Sequence, residues 1–231
     1  MSDTPPFALQ IQGLRYRWPG AVSDTLALDE LTVAAGEAVF LRGPSGSGKS
    51  TLLALAAGVL LPGAGQACLM GTDWAALSAR QRDQHRGDHV GLVFQQFNLL
   101  PYLSVLDNVR LPLRFSRRRA AQARAGEAEH WLAQMQLPQP QWLKPAAQLS
   151  VGQQQRVAAS RALIGRPEVV IADEPTSALD ESLREAFMDL LLASCREAGS
   201  ALLFVSHDAR LAARFERVLD LPALNRGGAR P

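Results

Sequence analysis

The sequence has very few cysteines, and this bounds the kinds of site it can build. Its 2 cysteines, Cys68 and Cys195, are far apart and belong to no CxxC or Cys/His ligand pattern. We therefore expect no structural metal site. Two small buried thiols in a reducing compartment are the expectation instead.

A long apolar run and a strong charge imbalance are also missing. The most apolar stretch, residues 52–61, ends at Pro62 and is about half of the roughly 20 residues that a membrane span needs. Net charge is only +2, which argues against a broad nucleic-acid footprint. The first residues lack the basic and apolar regions of a secretory signal. We expect a cytoplasmic protein that binds no nucleic acid and works at a membrane only through a partner.

What the sequence does contain is an alternation of strand-like and helix-like segments. Its 231 residues are 47% hydrophobic, enough for one buried core with a small appended lobe. Between residues 96 and 166 strand-like runs disappear, and Ala, Gln, Arg and Leu predict a helical lobe. The alternation elsewhere predicts an α/β fold with a mainly parallel sheet covered by helices. Strands are predicted at residues 8–18, 28–34, 38–41, 169–172 and 201–205, and helices after residue 51, at 181–197 and from 208.

A phosphate-binding loop follows the third predicted strand. Its residues satisfy the GxxxxGK[ST] pattern between a strand and a helix. Glycines let successive backbone N–H groups converge on phosphate oxygens, and the next helix adds its positive N-terminus. Lys49 supplies a charge for the β- and γ-phosphates, and the Ser50 hydroxyl is a candidate Mg²⁺ ligand. The predicted ATP-binding residues here are Gly43, Pro44, Ser45, Gly46, Ser47, Gly48, Lys49, Ser50 and Thr51.

Two adjacent carboxylates end the apolar run at residues 169–172. Ligands of open α/β sheets bind at the C-terminal ends of such strands. Asp173 is predicted to help to hold Mg²⁺. Glu174 is the candidate general base that polarises the attacking water.

The segment between these two motifs discriminates among the phosphate-loop proteins. Residues 149–153 spell LSVGQ, which resembles the LSGGQ signature of ABC-type ATPases. The motifs occur in the order of that family, and the resemblance spans almost the whole chain. It implies an ATP-hydrolysing subunit with a P-loop NTPase core, an N-terminal antiparallel β part and an inserted helical subdomain.

The same resemblance gives roles to positions outside these motifs. Trp18 resembles the aromatic side chain that stacks on adenine, with Tyr16 as the weaker alternative. Gln95 resembles the glutamine that links the metal and the attacking water to the helical subdomain. His207 resembles the histidine that contacts the γ-phosphate and helps to position water. Residues 177–180 resemble the D-loop of the family.

The signature segment, residues 149–153, also implies a dimer. In the family it completes the ATP site of the opposite subunit, and Ser150, Gly152 and Gln153 are the matching nucleotide-binding positions here. The expected partner is therefore a second copy of the chain. Val151 departs from the family pattern, which has glycine there. Its side chain is predicted to point away from the nucleotide or to tighten the interface, and slower turnover or weaker closure is the third possibility.

The resemblance also implies an arrangement of the chain and a branch of the family. Residues 1–231 form one ATPase domain, with 1–95 and 161–231 as the catalytic core and 96–160 as the helical subdomain. Residues 91–113 resemble small ABC ATPases of lipoprotein-releasing, macrolide-exporting and cell-division systems. This implies an integral membrane permease as partner and a position on the inner face of the membrane. A regulatory clamp that transports nothing is the alternative function.

Two further classes of protein fit the sequence less well. A chromosome-structure ATPase needs a long coiled coil, and no heptads occur between Gln95 and Ser150. A nucleotide-binding scaffold without activity conflicts with the presence of Lys49, Glu174 and His207.

Other charged residues show no motif. The histidines His85, His89 and His130 lie in polar stretches, which predicts surface positions. Residues 117–119 are three consecutive arginines, for which a solvated helix face is the expectation and an acidic or lipid contact the alternative.

Overall fold

The computed structural model describes residues 7–177 and 179–227, apart from the side chain of Ser182. Within these residues the strands are β1 (Phe7–Tyr16), β2 (Leu26–Ala34), β3 (Ala38–Arg42), β4 (Ala64–Leu69), β5 (Thr72–Asp73), β6 (Val90–Val93), β7 (Val169–Asp173), β8 (Ala201–Ser206) and β9 (Arg217–Asp220). The α-helices are α1 (Lys49–Ala56), α2 (Ala79–His89), α3 (Val105–Phe115), α4 (Arg117–Gln122), α5 (Glu127–Gln134), α6 (Val151–Leu163), α7 (Glu181–Ala198) and α8 (Leu221–Leu224).

The strands form two sheets. The first is antiparallel, with the order β2-β1-β4-β5. The second has the order β6-β7-β8-β3-β9, and all its strands are parallel. The neighbours β7, β8 and β3 are far apart in sequence, so helical crossovers must connect them. The predicted fold class, with its mainly parallel sheet, antiparallel part and helical insertion, is confirmed.

The parallel sheet separates two hydrophobic cores. Successive side chains of a strand point to opposite faces, so Phe40 and Phe204 enter the core shared with α5, α6 and α7. Leu41 and Val205 enter the core shared with α1 and the antiparallel sheet. The C-terminal ends of the central strands are therefore held from both sides by packed apolar side chains.

Several elements were absent from the sequence predictions. These are β4, β5, α2, β6 and β9, which are short, polar or interrupted by glycine. In β6, a Cβ on Gly91 would lie 2.2 Å from the carbonyl oxygen of Ala162, so the close packing of α6 requires glycine there. A prediction based on apolar runs misses such a strand, because the packing of α6 requires a glycine that interrupts the apolar run.

The helical lobe is less uniformly helical than predicted. Residues 97–104 form neither a helix nor a strand, and helices α3 to α6 follow. The predicted boundary between residues 160 and 161 falls inside α6, and the division into core and helical subdomain stays a prediction. None of the helices that the structure describes is long and apolar enough to cross a membrane.

The prediction of a solvated arginine face at residues 117–119 is wrong for Arg119. This side chain is only 2% exposed and donates to the carbonyl oxygens of Val90, Ala162 and Ile164. Burial lowers its pKa to about 10. Arg119 therefore caps the C-terminal end of α6 instead of facing solvent, because the last carbonyls of a helix need donors.

Two of the three histidines are also less exposed than predicted. His85 and His89 are half-buried, with ring centroids 4.4 Å apart. The Nδ1 atom of His89 lies 2.9 Å from Glu168. Burial lowers the pKa of His85. His130 is more open and contacts Glu197.

Candidate functional site

The phosphate loop folds as a left-handed turn that leads directly into α1. Gly46 and Gly48 have φ values of +80° and +97°, a region that favours glycine. A Cβ on Gly48 would also lie 2.8 Å from the side chain of Leu26. The Oγ atom of Ser47 is buried and has no hydrogen-bond partner among the described residues. The loop thus surrounds a concave backbone surface at the N-terminus of α1.

Lys49 lies inside this turn rather than in solvent. Its side chain is 8% exposed, and its Nζ donates to the carbonyl oxygens of Gly43 at 2.8 Å and Pro44 at 3.0 Å. The same atom lies 3.4 Å from Oε1 of Glu174. The Lys49 cation is therefore fixed next to the Glu174 carboxylate at the end of β7, where it can neutralise a bound anion.

A cavity of about 460 Å³, which we name the cradle cavity, opens beside Lys49. It brings together most of the residues predicted for one nucleotide site, although they come from four separate parts of the chain. One further residue, Thr25, joins them, and no motif in the sequence signals it. The cradle cavity is lined by Trp18, Thr25, Ser45, Gly46, Gly48, Lys49, Ser50, Thr51, Gln95, Asp173 and Glu174.

The two adjacent carboxylates differ in environment. Burial and the neighbouring Glu174 raise the pKa of Asp173, although Lys49 and a hydrogen bond from Ser50 oppose this. Glu174 follows β7 with φ +43°, in the left-handed region that non-glycine residues rarely adopt. Such backbone conformations persist where the surrounding structure enforces them, often at functional sites. Here the enforcing contact is a hydrogen bond from the Glu174 N–H to the carbonyl of Val205.

Glu174 also connects the cradle to the next strand end. Its Oε1 faces Lys49, and its Oε2 lies 3.0 Å from Nδ1 of His207, which follows β8. The Glu174 side chain is 17% exposed and that of His207 is 62% exposed. A lysine, a carboxylate and a histidine therefore form one chain of contacts across β7 and β8, with the histidine at its open end.

The aromatic candidates lie at the edge of the same cavity. The ring of Trp18 is 45% exposed and meets Tyr16 edge-to-face at 5.3 Å. Tyr16 is only 9% exposed and packs in the core. The Trp18 side chain is therefore accessible to a ligand, and the buried Tyr16 ring packs against it.

The signature segment lies elsewhere. Ser150 caps α6, since its Oγ accepts from the Gln153 N–H at 3.4 Å and the Gln153 side chain accepts from the Ser150 N–H at 3.0 Å. Beside it is a second cavity of about 480 Å³, the signature cavity, which shares no lining residue with the cradle cavity. Among its lining residues are Ser150, Val151, Gly152, Gln153, Leu179 and Leu183.

The segment between Glu174 and α7 joins these regions. Ala178 of the predicted D-loop lies outside the described residues. Asp180 caps α7 by accepting from the Leu183 N–H at 2.9 Å.

Next to His207, Asp208 contacts Arg210 and Arg184, and these partners lower its pKa to about 2. No motif in the sequence predicts a role for these arginines.

Comparison with known proteins decides the family. Residues 27–177 match the ABC transporter family. The chain belongs to the ABC transporter family.

Its relatives in this family are ATP-binding proteins. The chain is 45% identical over 192 residues to the uncharacterized ABC transporter ATP-binding protein YbbA of Escherichia coli (strain K12), covering 83% of each. It is 45% identical to the lipoprotein-releasing system ATP-binding protein LolD of Anaeromyxobacter dehalogenans, covering 92% of the chain and 90% of LolD. It is 38% identical to the macrolide export ATP-binding/permease protein MacB of Rhodopseudomonas palustris, covering 92% of the chain but 32% of MacB.

Solved ABC cassettes have the same fold. The dimeric cassette MJ0796 superposes with a TM-score of 0.81 at 34% identity, covering 95% of this chain and 97% of MJ0796. A post-hydrolysis dimer of MJ0796 bound to ADP and Pi superposes with a TM-score of 0.80 at 35% identity, covering 92% and 93%. This ABC protein is accordingly an ATP-binding subunit and an ATPase, as the sequence predicted.

Proposed function

We propose that this ABC ATPase closes as a homodimer around ATP and thereby drives a conformational change in an integral membrane partner. The observation that carries the proposal is the separation of its predicted site into two cavities with no residue in common. The cradle cavity offers one lysine, two carboxylates and an aromatic ring, and the signature cavity offers a helix N-terminus. A nucleotide held in the first cavity leaves one side for a second subunit to cover.

In this proposal the cradle cavity binds the nucleotide. Backbone N–H groups of residues 43–51 and the N-terminus of α1 surround the phosphates, and Lys49 places its charge against them. The Nζ of Lys49 then exchanges its contact with Glu174 for phosphate oxygens. Trp18 stacks on the adenine ring, because its face is open while that of Tyr16 is packed.

Glu174 is the proposed general base. Once Lys49 has turned to the phosphates, the Glu174 carboxylate is free to accept a proton from water. The water oxygen then forms a bond to the γ-phosphorus as the bond from that phosphorus to the β,γ-bridging oxygen breaks, and ADP and phosphate are released. His207 lies 3.0 Å from this carboxylate. Because its ring is largely exposed, it can contact both Glu174 and a phosphate that arrives from outside.

The donor set beside Lys49 fits a magnesium ion. Ser50 and Asp173 supply hard oxygen ligands, which Mg²⁺ prefers, and phosphate oxygens and water complete such sites. Burial and Glu174 raise the pKa of Asp173, so its charged form is disfavoured in the free protein, and a cation bound beside it would stabilise that form. Among the described residues no cluster of three His, Cys, Asp or Glu side chains could hold a metal by itself. Bound Mg²⁺ would neutralise phosphate charge, with Gln95 as a further proposed ligand.

The signature cavity is proposed to face the phosphates of the opposite subunit. Ser150, Gly152 and Gln153 lie at the N-terminus of α6, whose positive end attracts an anion. The capping hydrogen bond of Ser150 is long, 3.4 Å, so its hydroxyl is weakly engaged. The dimeric structures of MJ0796 support the association of two subunits that this arrangement requires.

The membrane partner is proposed to contact the junction between the core and the helical lobe. A cavity of about 280 Å³ lies there, lined by residues of α2, β6, α3 and α6. Its rim carries the exposed rings of Phe94 and Phe115. Phe94 directly precedes Gln95, so contact at this junction could reach the cradle. LolD and MacB are named for lipoprotein release and macrolide export, which supports an export or extraction system over a purely regulatory clamp.

Light scattering of the Glu174→Gln protein, with and without Mg-ATP, tests the proposal. This variant should bind ATP without hydrolysing it and should shift from monomer to dimer when Mg-ATP is added. A monomer at every ATP concentration, for a variant that still binds ATP, would contradict the shared-site arrangement for the isolated subunit. Substantial hydrolysis by Glu174→Gln would overturn the assignment of the base.

A further inference from the structure

The segment that follows Gln95 has an unfavourable backbone. Phe97 and Asn98 are consecutive non-glycine residues with φ values of +58° and +48°. For L-residues this left-handed region is disfavoured, and Phe lacks the local hydrogen bonding that lets Asn adopt it. The segment therefore needs contacts from elsewhere in the fold to hold it.

Arg161 provides the main polar contact. From the last turn of α6 its guanidinium donates to the carbonyl oxygen of Asn98 at 2.6 Å and to that of Phe97 at 2.5 Å. The side chain is 9% exposed, and its burial lowers its pKa. No carboxylate in the described part of the chain forms an ion pair with it. A buried cation with only backbone partners is costly, which suggests a purpose beyond packing.

The position of Arg161 connects two parts of the proposed site. Helix α6 begins after Ser150, in the signature segment, and Arg161 lies near its other end. A helix of this length is a stiff rod of about 20 Å. Gln95, which lines the cradle cavity, is two residues before Phe97. Helix α6 therefore extends from the signature cavity to the turn at Phe97 and Asn98, beside Gln95.

We propose that Arg161 is a positioning residue, which fixes Gln95 relative to the signature helix through the carbonyls of Phe97 and Asn98. Movement of Ser150 when the dimer closes then moves Gln95 in the cradle of the same subunit. This inference rests on the proposed function of Gln95 and Ser150. It adds a defined link between them, made by a planar fork of two charge-assisted hydrogen bonds.

Arg156 offers a matched control on the same helix. Its guanidinium also donates to two successive backbone carbonyls, those of Met135 at 3.2 Å and Gln136 at 3.1 Å. Gln136 likewise has a positive φ, +54°. The two arginines thus hold comparable turns, but only Arg161 holds the turn that follows Gln95.

A double-mutant cycle with Gln95→Ala separates positioning from general stability. Arg161→Met should lower kcat by about 10- to 100-fold, with the KM for ATP within about threefold, because a small misplacement affects chemistry more than binding. In the Gln95→Ala background the same change should cost less than about twofold. Arg156→Met should change kcat by the same factor in both backgrounds. An equal loss for Arg161→Met in both backgrounds would overturn the inference.

The conservative variant and hydrogen exchange complete the test. Arg161→Lys keeps the charge but not the fork, so its kcat should lie between those of the wild type and Arg161→Met. If Arg161→Met does not fold, Arg161→Lys carries the same cycle. Amide exchange in peptides covering residues 94–104 should quicken by at least about tenfold in the Arg161 variants, and that of residues 134–138 only in Arg156→Met. Unchanged exchange at 94–104 would contradict the positioning role.

The two proposals fail in different ways. Full activity of Gln95→Ala alone would overturn the function proposed for Gln95, whatever Arg161 does. A normal loss for Gln95→Ala, combined with additive kinetics for Arg161→Met, would overturn only the link. Exchange at residues 94–104 requires no activity and decides separately whether Arg161 fixes the turn.

Discussion

The cradle cavity and the signature cavity are similar in size, but the motif residues that line them differ in charge and exposure. In the cradle, Lys49 is 8% exposed and already contacts two carbonyls and Glu174. At the signature segment, Val151 is 48% exposed and Ser150 makes one long capping hydrogen bond. The cradle holds charges that are buried and paired, whereas the signature segment is open and uncharged.

This difference indicates how the two halves act. Buried, preorganised charge binds a multiply charged ligand without further ordering, so a single subunit can hold ATP. A helix N-terminus with a weakly engaged hydroxyl contributes less and depends on a phosphate that is already in place. The comparison therefore predicts that loss of the Lys49 charge weakens ATP binding by a single subunit, whereas changes at the signature segment leave that binding intact and weaken the association of subunits.

The largest expected effect follows removal of the cradle cation. Lys49→Ala should weaken ATP binding by about 100-fold or more, since hydrogen bonds from a charged group to phosphate are lost. Isothermal titration calorimetry of the monomer measures this. Arg42→Ala is the control, because Arg42 precedes the loop but pairs with Asp220 outside the cradle cavity. Retention of wild-type affinity by Lys49→Ala would break the comparison.

A smaller effect is expected at the signature serine. Ser150→Ala should leave ATP binding by the monomer intact and weaken the ATP-dependent dimer about tenfold. Sedimentation velocity or a light-scattering titration in the Glu174→Gln background measures the dimer affinity. Loss of the helix cap should also cost about 1 kcal/mol of folding stability.

Ser78→Ala controls for that loss of a cap. Ser78 caps α2 through the same reciprocal pair with Gln81, at 3.4 Å and 2.9 Å. It should lose similar stability while its dimer affinity stays unchanged. Equal dimer affinities for the two variants would mean that Ser150 acts only as a cap.

Val151 should have a modest effect, and its sign is informative. Its half-exposed side chain lines the signature cavity with Leu179 and Leu183. Covering it in a dimer buries further apolar area, so Val151→Gly should weaken the ATP-bound dimer by about threefold. The dimer affinity of Val151→Ala should lie between those of the wild type and Val151→Gly. A tighter dimer of Val151→Gly would instead show that valine obstructs closure.

The smallest effect concerns stability in the absence of nucleotide and Mg²⁺. Because burial and Glu174 raise the pKa of Asp173, its charged form destabilises the folded state above that pKa. Asp173→Asn should therefore raise the Tm at pH 7, because asparagine carries no charge that burial and Glu174 disfavour. The difference should shrink as the pH falls through the pKa of Asp173 towards about 4. A lower Tm for Asp173→Asn at pH 7 would contradict this sign.

Much of the cradle could be predicted because its residues are consecutive or end apolar runs. The glycine pattern before Lys49 requires a particular backbone, and a buried strand such as β7 has a composition that solvent-exposed segments lack. Trp18, Gln95 and His207 were placed through resemblance alone, since a single aromatic, amide or imidazole in a loop carries no local signal. Thr25 was missed for the same reason.

The wrong prediction for Arg119 and the absence of any prediction for Arg161 have a common physical origin. Arg119 and Arg161 are polar in the sequence, and an arginine is normally exposed. Both are buried because backbone carbonyl groups from segments far away in the chain converge on them. The positive φ of Glu174 likewise depends on a hydrogen bond to a neighbouring strand.

The sequence by itself determined the α/β class, the phosphate loop, the acidic strand end and the signature segment, because each depends on residues close together in the chain. Only the tertiary structure decided that Lys49, Glu174 and His207 form one line of contacts and that Ser150 lies in a separate cavity. It also decided that α6 connects Ser150 with the turn after Gln95. These relations depend on which strands become neighbours in the parallel sheet and on how α6 packs against it, and such long-range contacts leave no local pattern in the sequence.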